Sequence, residues 1–83
     1  MPENIKLYAL STCGHCRAAK KLLDECGVEY DKIDVDLTSG EERIALIEAV
    51  KQLNPRCTFP TLVIGDQVIV GFHEEKIKEV LGL

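Results

Sequence analysis

The sequence is short of positive charge. Ten lysines and arginines face fourteen aspartates and glutamates, for a formal net charge of −4, and the basic residues form no cluster. A chain without a basic patch does not neutralise a phosphate backbone, so nucleic acid is not an expected partner. Long apolar runs are missing as well. No stretch nears the roughly 20 apolar residues that cross a bilayer as a helix, and no membrane partner is expected. Met1-Pro2-Glu3-Asn4 has neither the basic start nor the apolar middle of a secretory leader, so a cytoplasmic location is expected. Linkers, internal repeats and low-complexity tracts are also lacking. The 83 residues leave room for one modest core, and residues 1–83 read as a single domain, expected to be a monomer.

Cysteine is what the chain does have, four residues in so short a length. A disulfide scaffold is one reading. Against it, regular elements account for nearly every residue and nothing points to secretion; one working dithiol in a reducing compartment fits better. Cys13-Gly14-His15-Cys16 follows an apolar run and precedes a helical pattern, the setting of a redox dithiol. An ordinary thiol is only a few per cent thiolate near neutral pH and attacks slowly. At a helix N-terminus, unpaired backbone N–H groups and the positive end of the dipole favour its thiolate. A second thiol one turn on can then attack the mixed disulfide and release a reduced target.

Residues 5–10, Ile-Lys-Leu-Tyr-Ala-Leu, read as a central strand buried on both sides. Ser11 or Thr12 can cap a helix starting near Cys13. Ala18, Ala19, Leu22, Leu23 and Cys26 recur at helical spacing, with Arg17, Lys20, Lys21 and Asp24 on the solvated side, and Gly27 stops the helix as a left-handed cap. Residues 28–37 alternate in part and read as a strand returning parallel to the first. Thr38 and Ser39 each have a glutamate three residues later, the capping-box spacing, ahead of a helix through Ile44, Ala45, Leu46, Ile47, Val50 and Leu53 that ends at Asn54-Pro55. Residues 61–64 and 67–70 flank Gly65-Asp66 as a hairpin, and residues 74–81 form a last helix with Ile77, Val80 and Leu81 inward. The order β-α-β-α-β-β-α describes an α/β domain, a four-stranded mixed sheet flanked by helices.

That order, with a dithiol opening the first helix, resembles the glutaredoxin branch of the thioredoxin fold. Residues 13–23 resemble the pattern C-x-x-C-x-x-A-K-x-L-L, Thr58-Phe59-Pro60 resembles the T-V-P segment, and Gly71-Phe72 stands at the glycine turn of the substrate groove. The resemblance covers residues 5–82. It implies a thiol–disulfide oxidoreductase acting on disulfide-containing proteins or mixed disulfides, in cell redox homeostasis. No tightly bound cofactor is implied; glutathione or another small thiol, or a thioredoxin reductase, would be the reductant. Pro60 would follow a cis bond across from the dithiol, leaving nearby backbone groups for an extended substrate. Departures stand beside the matches. Gly-His replaces the usual Pro-Tyr, as in protein disulfide isomerases; Leu10 stands where a lysine is common; and Val70-Gly71-Phe72-His73-Glu74 lacks one glycine and one aspartate of Gly-Gly-x-Asp-Asp.

Cys13 is thus the expected nucleophile and Cys16 the resolving thiol, with Gly14 and His15 in support; a protonated His15 would stabilise the Cys13 thiolate. Arg56, Thr58, Phe59, Pro60, Gly71 and Phe72 are the expected substrate-binding residues, Arg56 as a partner for a carboxylate. The phenylalanines serve as well in a core. Cys26 reads as an inert core thiol. Cys57, three residues before Pro60, reads as a loop cysteine or as a third exchanging thiol. No metal site is expected, although a module holding zinc or an iron–sulfur cluster through Cys13, Cys16, Cys57 and His15 or His73 is the competing class; structural zinc sites show a second closely spaced ligand pair, absent here.

Overall fold

The computed structural model describes residues 4–82; Met1, Pro2, Glu3 and Leu83 lie outside the described residues, and with them most of the segment read above for a leader. The elements are β1 (Ile5–Ala9), α1 (Gly14–Glu25), β2 (Asp31–Asp34), a 3-10 turn (Val35–Leu37), α2 (Gly40–Leu53), β3 (Thr61–Ile64), β4 (Gln67–Val70) and α3 (Glu74–Leu81). The sheet runs β2-β1-β3-β4, with β1 parallel to β2 and antiparallel to β3, and β3 antiparallel to β4. This is the expected mixed sheet of a thioredoxin fold. Among the described residues no helix is long and apolar enough to cross a membrane.

Alternation along β1 explains the layering. Ile5, Leu7 and Ala9 point to one face and pack with Ala19, Leu22 and Leu23 of α1 and Ile77 of α3. Tyr8 points to the other and packs with Val35 and with Val50 of α2. Helices therefore cover both faces, and the central strands are apolar almost throughout. Leu7, Leu23 and Leu62 are fully buried at the centre of the larger cluster.

Three local expectations need correction. The second strand spans only Asp31–Asp34, shorter than residues 28–37 suggest. Val35 turns into the second cluster, and the hydroxyl and N–H of Thr38 both donate to its carbonyl, at 2.7 and 3.2 Å, which closes a 3-10 turn and ends the ladder. Leu37 consequently faces solvent, 71% exposed. No side-chain cap forms at Ser39, and the hydroxyl of Thr38, the other capping candidate, is committed backwards to Val35. Finally, Ile44 and Ala45 of α2 are exposed, not inward. A 14-residue helix is about 21 Å long whereas strands of 4 or 5 residues span only about 13–17 Å, so the first turns of α2 overhang the sheet.

Candidate active site

The first helix opens on sulfur. Its N-cap is Cys13, in extended conformation, and the backbone N–H of Cys16 donates to Cys13 Sγ at 3.4 Å. Sulfur here takes the place that a serine or threonine oxygen occupies in an ordinary cap. Ser11 and Thr12, expected to cap this helix, do not. The Ser11 N–H and hydroxyl instead donate to the two carboxylate oxygens of Asp36, at 2.9 and 2.6 Å, tying the loop before Cys13 to the 3-10 turn. These bonds hold the Asp36 carboxyl below the usual carboxylate range. At the far end Gly27, at φ 71°, terminates α1 as expected.

The two sulfurs have different surroundings. Cys13 is half-buried and Cys16 fully buried; all four cysteines are free thiols. A hydrogen bond from the Cys16 thiol is the largest influence on Cys13 and lowers its pKa; the backbone N–H groups of Cys16 and His15 and the charge of Lys20 act the same way, against partial burial. Cys16 goes the other way. Burial dominates and raises it to about 11, although the Leu10 N–H, 3.5 Å from Cys16 Sγ, favours its thiolate. One sulfur is prepared to attack while the other keeps its proton. Residue 15 contributes through its backbone N–H; Gly14 and His15 themselves are exposed.

Lys20 departs from its expected solvated position. Its Nζ sits 2.8 Å from Asp34 Oδ1, with the two side chains only 19% and 18% exposed, so α1 is pinned to the end of β2.

The loop between α2 and β3 carries Arg56, Thr58, Phe59 and Pro60, four of the expected binding residues. The Phe59–Pro60 bond is cis, as the resemblance implies. Phe59 and Phe72 pack against the same core cluster as Cys13 and Cys16. Gly71, at φ 83°, donates its N–H to the Pro60 carbonyl at 2.9 Å, joining the Gly-Phe turn to the proline loop. Arg56 and Thr58 are exposed on that loop. A buried amide organises it. The Asn54 side chain donates to Thr58 Oγ1 at 2.9 Å, to Thr61 Oγ1 at 3.3 Å and to the Thr58 carbonyl at 3.3 Å, and accepts from the Arg56 N–H at 3.2 Å. In the sequence Asn54 shows only as part of a helix stop; an asparagine four residues before a threonine in a proline loop is the one signal that could have revealed it.

The other two cysteines pack on different clusters. Cys26 is the C-cap of α1 and packs against the larger cluster. Cys57, at φ 51°, packs against the smaller cluster on the α2 side. Among the described residues no group of three or more His, Cys, Asp or Glu side chains is arranged to hold a metal ion.

Comparison with known proteins agrees with this geometry. Residues 5–69 match the family model described as Glutaredoxin. Glutaredoxin 1 of Rickettsia bellii is 38% identical over 69 residues, covering 81% of this chain and 67% of that protein. The chain spans about two thirds of the length of such curated relatives, 64% of the Rickettsia felis protein. Among solved structures, methanoredoxin of Methanosarcina acetivorans superposes with a TM-score of 0.95 at 41% identity, over 99% of this chain and 87% of that one. A buckwheat glutaredoxin in complex with glutathione superposes with a TM-score of 0.74 at 28% identity, over 96% of this chain and 71% of that one.

Proposed function

The chain belongs to the glutaredoxin family, and we propose that it is a thiol–disulfide oxidoreductase that reduces protein disulfides or mixed disulfides of small thiols through Cys13 and Cys16. The observation that carries this reading is the contrast between the two sulfurs: an accessible Cys13 with a lowered pKa, and a buried Cys16 raised to about 11. The Cys13 thiolate attacks one sulfur of the target disulfide; the Cys13–target bond forms as the target's own S–S bond breaks, and the departing thiolate takes a proton from water. Cys16 then loses its proton and attacks Cys13 Sγ, and the target leaves as its thiol. Two electrons have passed from the dithiol to the target, leaving a Cys13–Cys16 disulfide.

Arg56, Thr58, Phe59, Gly71 and Phe72 form the proposed binding surface over Pro60, whose own side chain is fully buried, with the phenylalanines lending apolar contact and Arg56 a charge for a carboxylate. A small thiol such as glutathione is the proposed reductant, in keeping with the glutathione complex of the buckwheat relative. A thioredoxin reductase is the other candidate, favoured by the absent Leu10-position lysine and the incomplete glycine–aspartate turn. The proposed setting is the cytoplasm, with the protein acting as a monomer.

Reacting the reduced protein with a disulfide substrate and mapping the product tests the reading. Two electrons lost per chain and a Cys13–Cys16 disulfide are expected. Oxidation confined to Cys26 or Cys57 would overturn it. Supplying glutathione and thioredoxin reductase separately to the oxidised protein then identifies the electron donor.

A further inference from the structure

One half-buried ion pair beside the dithiol has no role in the steps above. Lys20 lies one helical turn beyond Cys16 on α1, and its Nζ meets Asp34 Oδ1 at 2.8 Å. Asp34 ends β2 in register with Ala9, the last residue of β1. The next residue, Leu10, gives its N–H to Cys16 Sγ and its carbonyl to the N–H of Cys13. The pair therefore links the helix behind the resolving sulfur to the strand beside the loop in front of it. By contrast Lys78–Glu74, an ion pair within α3, has side chains 45% and 54% exposed, and water screens it.

A lysine free in solvent has its field damped by water and salt within about 10 Å. Lys20 is held in place and partly withdrawn from water, so its charge acts on its surroundings through a medium of lower effective dielectric. The same holds for the negative charge beside it. We propose that the Lys20–Asp34 pair trims the electrostatic potential at the dithiol: Lys20 is a positioning residue whose fixed positive charge favours negative sulfur at Cys13 and Cys16, and Asp34 offsets that charge. This rests on the dithiol reading above and adds to it the device that tunes the reactivity of the two sulfurs.

Lys20 favours the thiolate at both cysteines, as an influence smaller than the Cys16 hydrogen bonds at Cys13 and than the opposing burial at Cys16. Other charged groups around the pair are accounted for. Arg17, Lys21, Asp24 and Glu25 line the outer face of α1 with Lys20 and are exposed. The Tyr30 hydroxyl donates to Asp24 at 3.2 Å, and burial first, then Asp24 and Asp34, raise its pKa. On the dithiol side, Cys13, Cys16 and the exposed His15 are the titratable neighbours.

Replacing either partner breaks the bridge, so a purely structural role shifts the dithiol in the same direction in both cases. An electrostatic role shifts it in opposite directions. The pH dependence of Cys13 alkylation, read by mass spectrometry on the full chain, separates the two. Lys20→Gln is expected to raise the midpoint, and Asp34→Asn, which keeps an amide oxygen for the lysine, to lower it, each by about 0.3 pH unit. Lys20→Arg retains the charge and a carboxylate partner and is expected to leave the midpoint near that of the parent protein. Shifts of the same sign in Lys20→Gln and Asp34→Asn, or no shift in either, would overturn the proposal. If Asp34→Asn does not fold, the lysine pair decides: rescue by arginine supports the proposal, and a glutamine-sized shift in Lys20→Arg overturns it. Alkylation needs no disulfide substrate, so this outcome is independent of whether the protein exchanges disulfides at all.

Discussion

Cys16 presents its backbone N–H to Cys13 Sγ at 3.4 Å, and hydrogen bonding from its side chain is the largest influence lowering the Cys13 pKa. The residue proposed to resolve the mixed disulfide is therefore also the one that prepares the proposed attacker. Hydrogen bonds to an anionic acceptor are stronger than neutral ones, so both contacts favour the thiolate.

Alkylation of Cys13 should accordingly proceed half-maximally at a pH below the ordinary thiol value, and alkylation of Cys16 far above it. Cys16→Ala removes the thiol donor, the largest influence on Cys13, and should move the Cys13 midpoint upward. An unchanged midpoint would show that the helix backbone alone activates the sulfur. Mass spectrometry of alkylated peptides across a pH series measures both.

Stability should record the raised Cys16. The unfolded thiol titrates near 9.0 and the folded one near about 11, so between those values the folded state binds more protons than the unfolded. Its contribution is fully present below about pH 9 and is lost as pH rises toward about 11. Cys13, lowered in the folded state, has the opposite sign and is best removed from the comparison. In urea unfolding, Cys13→Ser should lose more stability over that window than Cys13→Ser/Cys16→Ser, with the Tyr30 contribution common to both.

Asn54→Ala should cost about 1–3 kcal/mol, because Thr58 and Thr61 lose a shared buried partner. The loop that carries Phe59 and Pro60 should lose definition. Turnover with disulfide substrates is expected to fall while the pH midpoint of Cys13 alkylation stays put. Denaturation and steady-state assays on the same preparation distinguish this from general loss of fold.

Gly14-His15 between the cysteines leads to a redox expectation. With no proline in the first turn and the isomerase-like dipeptide, the protein should be less reducing than thioredoxin, above about −270 mV. Equilibration with a glutathione redox buffer measures it, and a value at or below about −270 mV would contradict the assignment.

Much of this site could be read from residue order. The strand–dithiol–helix unit shows because Ile5, Leu7 and Ala9 alternate while Ala19, Leu22 and Leu23 follow a helical period, and both patterns survive in the core. The hairpin around Gly65-Asp66 shows for the same reason. Where the reading failed, a long-range contact overrode a local preference. Ser11 is a plausible cap until Asp36, 25 residues away, takes its hydroxyl. Lys20 belongs to a polar stripe until Asp34, 14 residues away, draws it against β2. Asp34 and Asp36 fall within the residues 28–37 that read as one strand; in the structure each fixes an element that flanks the dithiol. Such pairings have no periodicity, because the partners are brought together only by the parallel packing of β2 on β1.

The most direct measurement is capture of the mixed disulfide. Cys16→Ser, mixed with a disulfide substrate under non-reducing conditions, should accumulate a covalent adduct that maps to Cys13 and disappears with added thiol, while Cys13→Ser should form none. Absence of any adduct in Cys16→Ser, or an equal yield mapped to Cys26 or Cys57, would contradict Cys13 as the attacking sulfur.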